Sequence, residues 1–277
     1  RLCNAVMIGQ PGAAFSTKWL AHYDSSRSQG RDDLWDYHSV KLPGRLMIEA
    51  PELIEVLDYR AFFYPLPNVI ERQLFSDAGD RFAPDFEVAY CHHLWNGGTG
   101  EFLEKIDEAW IRSSTSIYAS IAREVEGIAG ERAREPVLSI AIPPTNLVDP
   151  ARDREVNRVE AMADAAAVKA SQRVIDSLRA RLPDPQDHGE PGKAPRIFHF
   201  IFGFKSAGDI PYYGYLAIRS ALHFNPGWAV YYYCMHEPEG PNWDRIRSRV
   251  NVVRIDDFQY FQTARFHHYA HKADVIR

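Results

Sequence analysis

The chain has 277 residues, 45% of them hydrophobic and 25% charged, and carries a net charge of -5. That length suffices for a full hydrophobic core, in one large domain or two smaller ones. The lack of a strong basic field speaks against general nucleic-acid binding, and no apolar run approaches the roughly 20 residues that cross a bilayer. Cys3, Cys91 and Cys234 are far apart and form no C-x-x-C pair, which argues against a disulfide scaffold and fits a reducing, cytoplasmic compartment. The chain opens on Arg1 and stops at Arg277 inside a helical pattern, so it reads as a fragment of a longer protein.

Three zones follow one another. In residues 1–148, Asn4 to Gly9 is predicted to be a short strand stopped by Pro11-Gly12, and Ala13 to Tyr23 a helix with Phe15 and Trp19 on one face. Leu53 to Leu57 and Phe62 to Leu66 are predicted strands, the second closed by two prolines. Asn68 to Asp85 reads as a long loop, and Glu101 to Gly127 as helix in two pieces.

Residues 149–194 form a linker zone. Val156, Val159, Ala163, Ala166, Ala170, Val174 and Leu178 make a helical stripe on a helix of mixed charge. A Pro- and Gly-rich run from Pro183 to Pro195 then breaks it.

Residues 195–277 give the clearest pattern. Ile197 to Phe202 is a nearly continuous apolar run, as expected of a central strand covered on both faces. A helix from Pro211 to Phe224, a strand from Trp228 to Tyr233, a helix from Pro241 to Ser248, a strand from Val250 to Ile255 and a helix from Phe266 to Arg277 complete a βαβαβα order. That order predicts an α/β fold with a mostly parallel sheet and flanking helices. Ligands of such sheets lie beyond the carboxyl ends of the strands, here near Phe202-Gly203-Phe204.

Several motifs are missing. No G-x-G-x-x-G follows the first strand, no G-x-x-x-x-G-K-[ST] occurs, and no G-x-S-x-G is present. These absences speak against dinucleotide dehydrogenases, P-loop enzymes and the common hydrolase elbow. His267 and His271 have a zinc-compatible spacing but lack the H-E-x-x-H glutamate, and His92-His93 precede a Gly-flanked turn.

Ala194 to Gly203 resembles the opening strand of glycosyltransferase family 32, whose members carry a DXD sugar-binding region. Tyr215 to Ser220 with Asn225-Pro226-Gly227-Trp228 resembles the helix, N-P-x-[WY] and strand that follow in that family. His271 to Arg277 is similar to its K-x-D-[IV]-x-R segment. The first zone resembles the opposite end of the same family: Asn4 to Gly9 and Phe15 to Tyr23 its post-DXD strand and helix, Trp35 to Val40 and Phe62 to Pro65 its acceptor-side segments, and His93-Leu94-Trp95 its C-terminal H-x-W. The family's C-terminal half therefore precedes its N-terminal half, and the D-x-D segment that should join them is missing. The order fits a window on a tandem protein or a circular permutant.

The resemblance implies a GT-A-like nucleotide-diphospho-sugar transferase fold and metal-dependent, retaining transfer from a nucleotide-sugar donor to a glycan or other hydroxyl acceptor. It implies Mn²⁺ or Mg²⁺, whose role would be to stabilise the departing diphosphate. It places Phe202, Gly203, Asp274 and Arg277 on the donor side, where Arg suits phosphate through its forked donors. A helix ion pair between Asp274 and Arg277 and plain core packing of Phe202 are the alternatives. On the acceptor side stand Trp95 and Asn96, with His93 either a cation ligand or a structural imidazole. The missing D-x-D leaves a second reading, a non-catalytic sugar- or nucleotide-binding unit of the same fold. A scaffold that self-associates through the Ala-rich helix is a third.

Overall fold

A computed structural model describes residues 7–10, 12–27, 37–57, 59–66, 68–77, 89–128, 195–203 and 207–255. The predicted strand at Asn4–Gly9 falls mostly outside this set, with residues 7–10 irregular. The linker helix and the helix from Phe266 lie outside it entirely.

Helix α1 (Ala14–Arg27) and helix α2 (Leu42–Glu49) pack together, and a π-helical turn (Tyr37–Lys41) leads into α2. Phe15 and Trp19 of α1 meet Leu42, Leu46 and Met47 of α2 in a small cluster, the i, i+4 spacing of each apolar pair setting the contact face. Ile54 and Val56 pack on the same cluster. This corrects the expected strand at Leu53–Leu57. Pro51–Leu53 is a 3₁₀ turn and the residues after it pair with no strand among the described residues. Their alternating apolar pattern is satisfied by two helices instead of a β-ladder.

The expected strand at Phe62–Leu66 is likewise a turn. A 3₁₀ turn (Tyr59–Ala61) precedes it, and the Tyr64–Pro65 bond is cis. The Ala61 carbonyl accepts from Tyr90 N–H at 2.8 Å, which fastens this turn to the segment that leads to His92 and His93. Within the expected loop Asn68–Asp85, a helical turn (Glu71–Phe75) buries Leu74 and Phe75, and Ile70 is buried just before it. The i, i+4 spacing of Ile70 and Leu74 is its physical cause.

Glu101–Gly127 resolves into three helices rather than two: α3 (Asn96–Leu103), α4 (Glu108–Ser113) and α5 (Ile117–Glu126). Asp107 caps α4, its carboxylate accepting from Trp110 N–H at 2.8 Å. Ser116 caps α5, its hydroxyl accepting from Ala119 N–H at 3.2 Å. Gly127, at φ 67°, ends α5 in the left-handed conformation that glycine tolerates.

The third zone contains strand β1 (Ile197–Ile201), helix α6 (Tyr212–Phe224), strand β2 (Ala229–Cys234), helix α7 (Pro241–Asp244), a 3₁₀ turn (Arg247–Arg249) and strand β3 (Asn251–Arg254). The strands form a parallel sheet in the order β1-β2-β3, with Ile197 opposite Ala229 and Tyr231 opposite Asn251. The chain is thus a mixed helix–strand protein with a small parallel sheet, compatible with the α/β class. Among the described residues β2 is the middle strand and β1 an edge. This differs from the central position expected of β1: Phe198 and Phe200 face the core, whereas His199 between them is on the exposed side.

One core spans the first and third zones. Ile70, Leu74, Leu103, Ile111, Ala119 and Ala122 cluster with Tyr215, Leu216, Ile218, Val230 and Tyr232. On the other face of the sheet the Tyr233 hydroxyl and His199 Nδ1 share a hydrogen bond at 2.8 Å.

Candidate functional site

Two groups of expected site residues stand within the described chain. The first is at the carboxyl edge of the sheet. Phe202 N–H donates to the Tyr233 carbonyl at 3.0 Å, which extends the β1–β2 pairing one step past β1. The Phe202 ring is 49% exposed, so core packing does not account for it. Gly203 then turns the chain at φ 78°, and its carbonyl accepts from His236 N–H at 2.9 Å. A Cβ at Gly203 would sit 2.6 Å from the His236 carbonyl oxygen and 3.1 Å from Cys234 Cβ. No side chain fits there, so the backbones after β1 and β2 run close together. The next rung is made by Ile255 N–H donating to the Cys234 carbonyl at 2.8 Å.

The second group surrounds the turn at Pro65. His93, Trp95 and Phe63 form an aromatic cluster, with His93 stacked on Phe63 at 5.2 Å and tilted against Trp95 at 4.2 Å. Trp95 Nε1–H donates to the Pro65 carbonyl at 2.7 Å. Its backbone adopts φ 53°, a left-handed conformation uncommon for a non-glycine residue. The Trp95 carbonyl accepts from Gly98 N–H at 2.7 Å and Thr99 N–H at 3.1 Å, so this residue launches α3. Asn96 is the exposed first residue of that helix. His92 Nδ1–H donates to the Tyr64 carbonyl at 3.3 Å.

His93 Nδ1 accepts a hydrogen bond from Trp95 N–H at 3.1 Å. That acceptor role fixes the tautomer with the proton on Nε2, and burial holds the ring below its ordinary pKa, hence neutral. Nε2 is therefore a donor as it stands, not a lone pair offered to a cation. Among the described residues there is also no group of three or more His, Cys, Asp or Glu that could hold a metal ion. The described donor set does not fit Mn²⁺ or Mg²⁺ at His93.

The structure thus joins His93, Trp95 and Asn96 in one place, and Phe202 and Gly203 in another. Among the described residues no hydrogen bond or ring contact links the two groups, but Leu94, Trp95, Phe198 and Phe200 all pack on the same core. Asp274 and Arg277 lie outside the described residues. His236 was not legible as a site residue; its only signal is a position two residues past a strand end. Phe63, by contrast, sits in a segment whose aromatic density marked it.

No known family model and no solved structure matches the chain. Over 128 residues it is 34% identical to a protein of Cryptococcus neoformans var. grubii named Glucan organizing enzyme 1. The match covers 46% of this chain and 33% of that protein, so the chain spans about a third of its relative's length. No described helix is long and apolar enough to cross a membrane.

Proposed function

We propose that this chain is part of a GT-A-like glycosyltransferase of the family 32 type, moving a sugar from a nucleotide-sugar donor to a glycan or other hydroxyl acceptor. The observation that carries the reading is the carboxyl edge of the parallel sheet, where the exposed Phe202 is followed by the close approach of Gly203 and His236. Carboxyl edges of parallel sheets are where such folds bind nucleotides. The relative named for glucan organisation agrees with a glycan acceptor.

In this reading Phe202 stacks on the donor's base, and the Gly203 turn lets a ligand approach the backbone. The half-buried Trp95 and Phe63 offer ring faces to a sugar, with the Asn96 side chain beside them as a hydrogen-bonding group. In the transfer, the bond from the anomeric carbon to the diphosphate oxygen breaks and the diphosphate keeps the electron pair. The acceptor oxygen bonds to the anomeric carbon and gives up its proton to the departing diphosphate. His93, with its proton on Nε2, serves as a hydrogen-bond donor to a sugar or phosphate oxygen. Asp274 and Arg277 complete the donor side in this proposal. The cytoplasmic location also belongs to it, in keeping with the free thiols of Cys91 and Cys234.

A second reading is favoured by the absence of any D-x-D in the sequence: a non-catalytic unit that binds sugar or nucleotide. Calorimetric titration with UDP-, GDP- and CDP-linked sugars, with and without Mn²⁺, separates the two when paired with an assay for released nucleotide. We expect one donor to bind, and release of its nucleotide on adding acceptor to identify a transferase. Binding without release selects the second reading. No binding to any donor defeats both.

A further inference from the structure

The C-terminal turn of α5 is electrostatically wrong for an isolated helix. It ends on Glu126, a negative charge at the negative end of the helix dipole. Yet the Glu126 side chain is only 3% exposed. Its partners come from the other side of the linker zone. Oε1 accepts from the Tyr215 hydroxyl at 2.7 Å and from Arg219 Nε at 3.3 Å, and Oε2 pairs with Arg245. Arg219 Nη2 also donates to the Val125 carbonyl at 3.0 Å, which satisfies a terminal carbonyl of α5. The Arg245 guanidinium lies 4.4 Å from the centre of the Tyr215 ring, where a cation is attracted by the π face.

A buried carboxylate is tolerated only when paired and hydrogen-bonded. Every group that pairs Glu126 belongs to residues 195–255. The apolar core has the same division, with Ile111, Ala119 and Ala122 on one side and Tyr215, Leu216 and Ile218 on the other. Neither stretch is complete alone: the first would expose a buried acid, the second two arginines and an apolar helix face.

We infer that the described residues of 59–128 and 195–255 form a single unit, closed within one chain by a latch centred on Glu126, and that the covalent connection through 129–194 is not required to hold it. The donor-side edge and the aromatic acceptor-side cluster then belong to one site-bearing body, as in a permuted transferase, and not to two neighbouring ones. The inference does not depend on the proposed function, because its test reads association and not donor binding.

The test uses the full chain with a protease site placed in the Pro/Gly run between Pro183 and Pro195. We expect the intact chain to be monomeric and, after complete cleavage, the two pieces to remain together at the mass of the intact chain in native buffer. Glu126→Gln should raise their dissociation constant by at least about tenfold, whereas Glu108→Gln, which removes an exposed pairing with Arg112 outside the latch, should not. Separation of the wild-type pieces in native buffer would overturn the inference. So would an intact chain that is a dimer exchanging its pieces, or a Glu126→Gln chain whose pieces hold as tightly as wild type.

Discussion

Gly203 bears two constraints at once, a positive φ and a backbone oxygen in the place of its Cβ. At φ 78° an alanine would be strained, and its methyl would lie 2.6 Å from the His236 carbonyl. Gly203→Ala should therefore lower stability by about 1–3 kcal/mol and weaken donor binding, as read by urea denaturation and calorimetry. Gly98→Ala is the control. It lies in α3 with nothing within 4 Å of its Cβ position, so the change should be neutral or slightly stabilising. Equal losses at both positions would refute the constraint argued for Gly203. The location of Phe202 and Gly203 was legible, because a continuous apolar run that ends in glycine marks a strand end. The tautomer of His93 was not, since it depends on one N–H two residues away held by the left-handed turn at Trp95.

At the scale of the elements, capping decides how the helical region divides. The residues from Glu101 to Gly127 carry apolar side chains throughout, so periodicity alone suggests two helices. Asp107 and Ser116 each stand three residues before the N–H they accept, Trp110 and Ala119. These two side chains start new helices and were the overlooked signal. Ser116 is also fully enclosed, accepting from the Ser114 hydroxyl at 2.9 Å. Ser116→Ala should cost about 1–2 kcal/mol, measured as a shift in thermal or urea midpoint. A shift near zero would mean that α5 does not depend on its cap. The strands that failed to appear share another cause. Ile54 and Val56 alternate as a strand would, but two helices cover them, and Pro65 and Pro67 lack the N–H that a ladder uses.

For the molecule as a whole, desolvated imidazoles link stability to pH. Packing around their rings partly desolvates His92 and His93 and holds them below the ordinary 6.5 of histidine. Above that pH both folded and unfolded chains carry these rings neutral, and their full contribution is present. As pH falls below 6.5 the unfolded chain takes up protons that the folded chain refuses, so stability declines toward the depressed native values. The urea midpoint should accordingly drop on the acid side of pH 6.5, and His92→Gln should make that limb shallower. A midpoint that rises as pH falls through this range would contradict the assignment.

The sequence by itself determined the described part of the third zone: its strand–helix alternation and the parallel order of its strands. Those features follow from local rules, an apolar run, a proline before a helix and glycine at a turn, each written in neighbouring residues. Tertiary structure alone decided that two zones separated by 66 residues without description share a core, that Glu126 is buried, and which residues pair with it. A carboxylate on a helix end looks solvated in any local window. Only the arrival of Arg219, Arg245 and Tyr215 from the far stretch makes its burial affordable in free energy, and no pattern along the chain encodes that meeting.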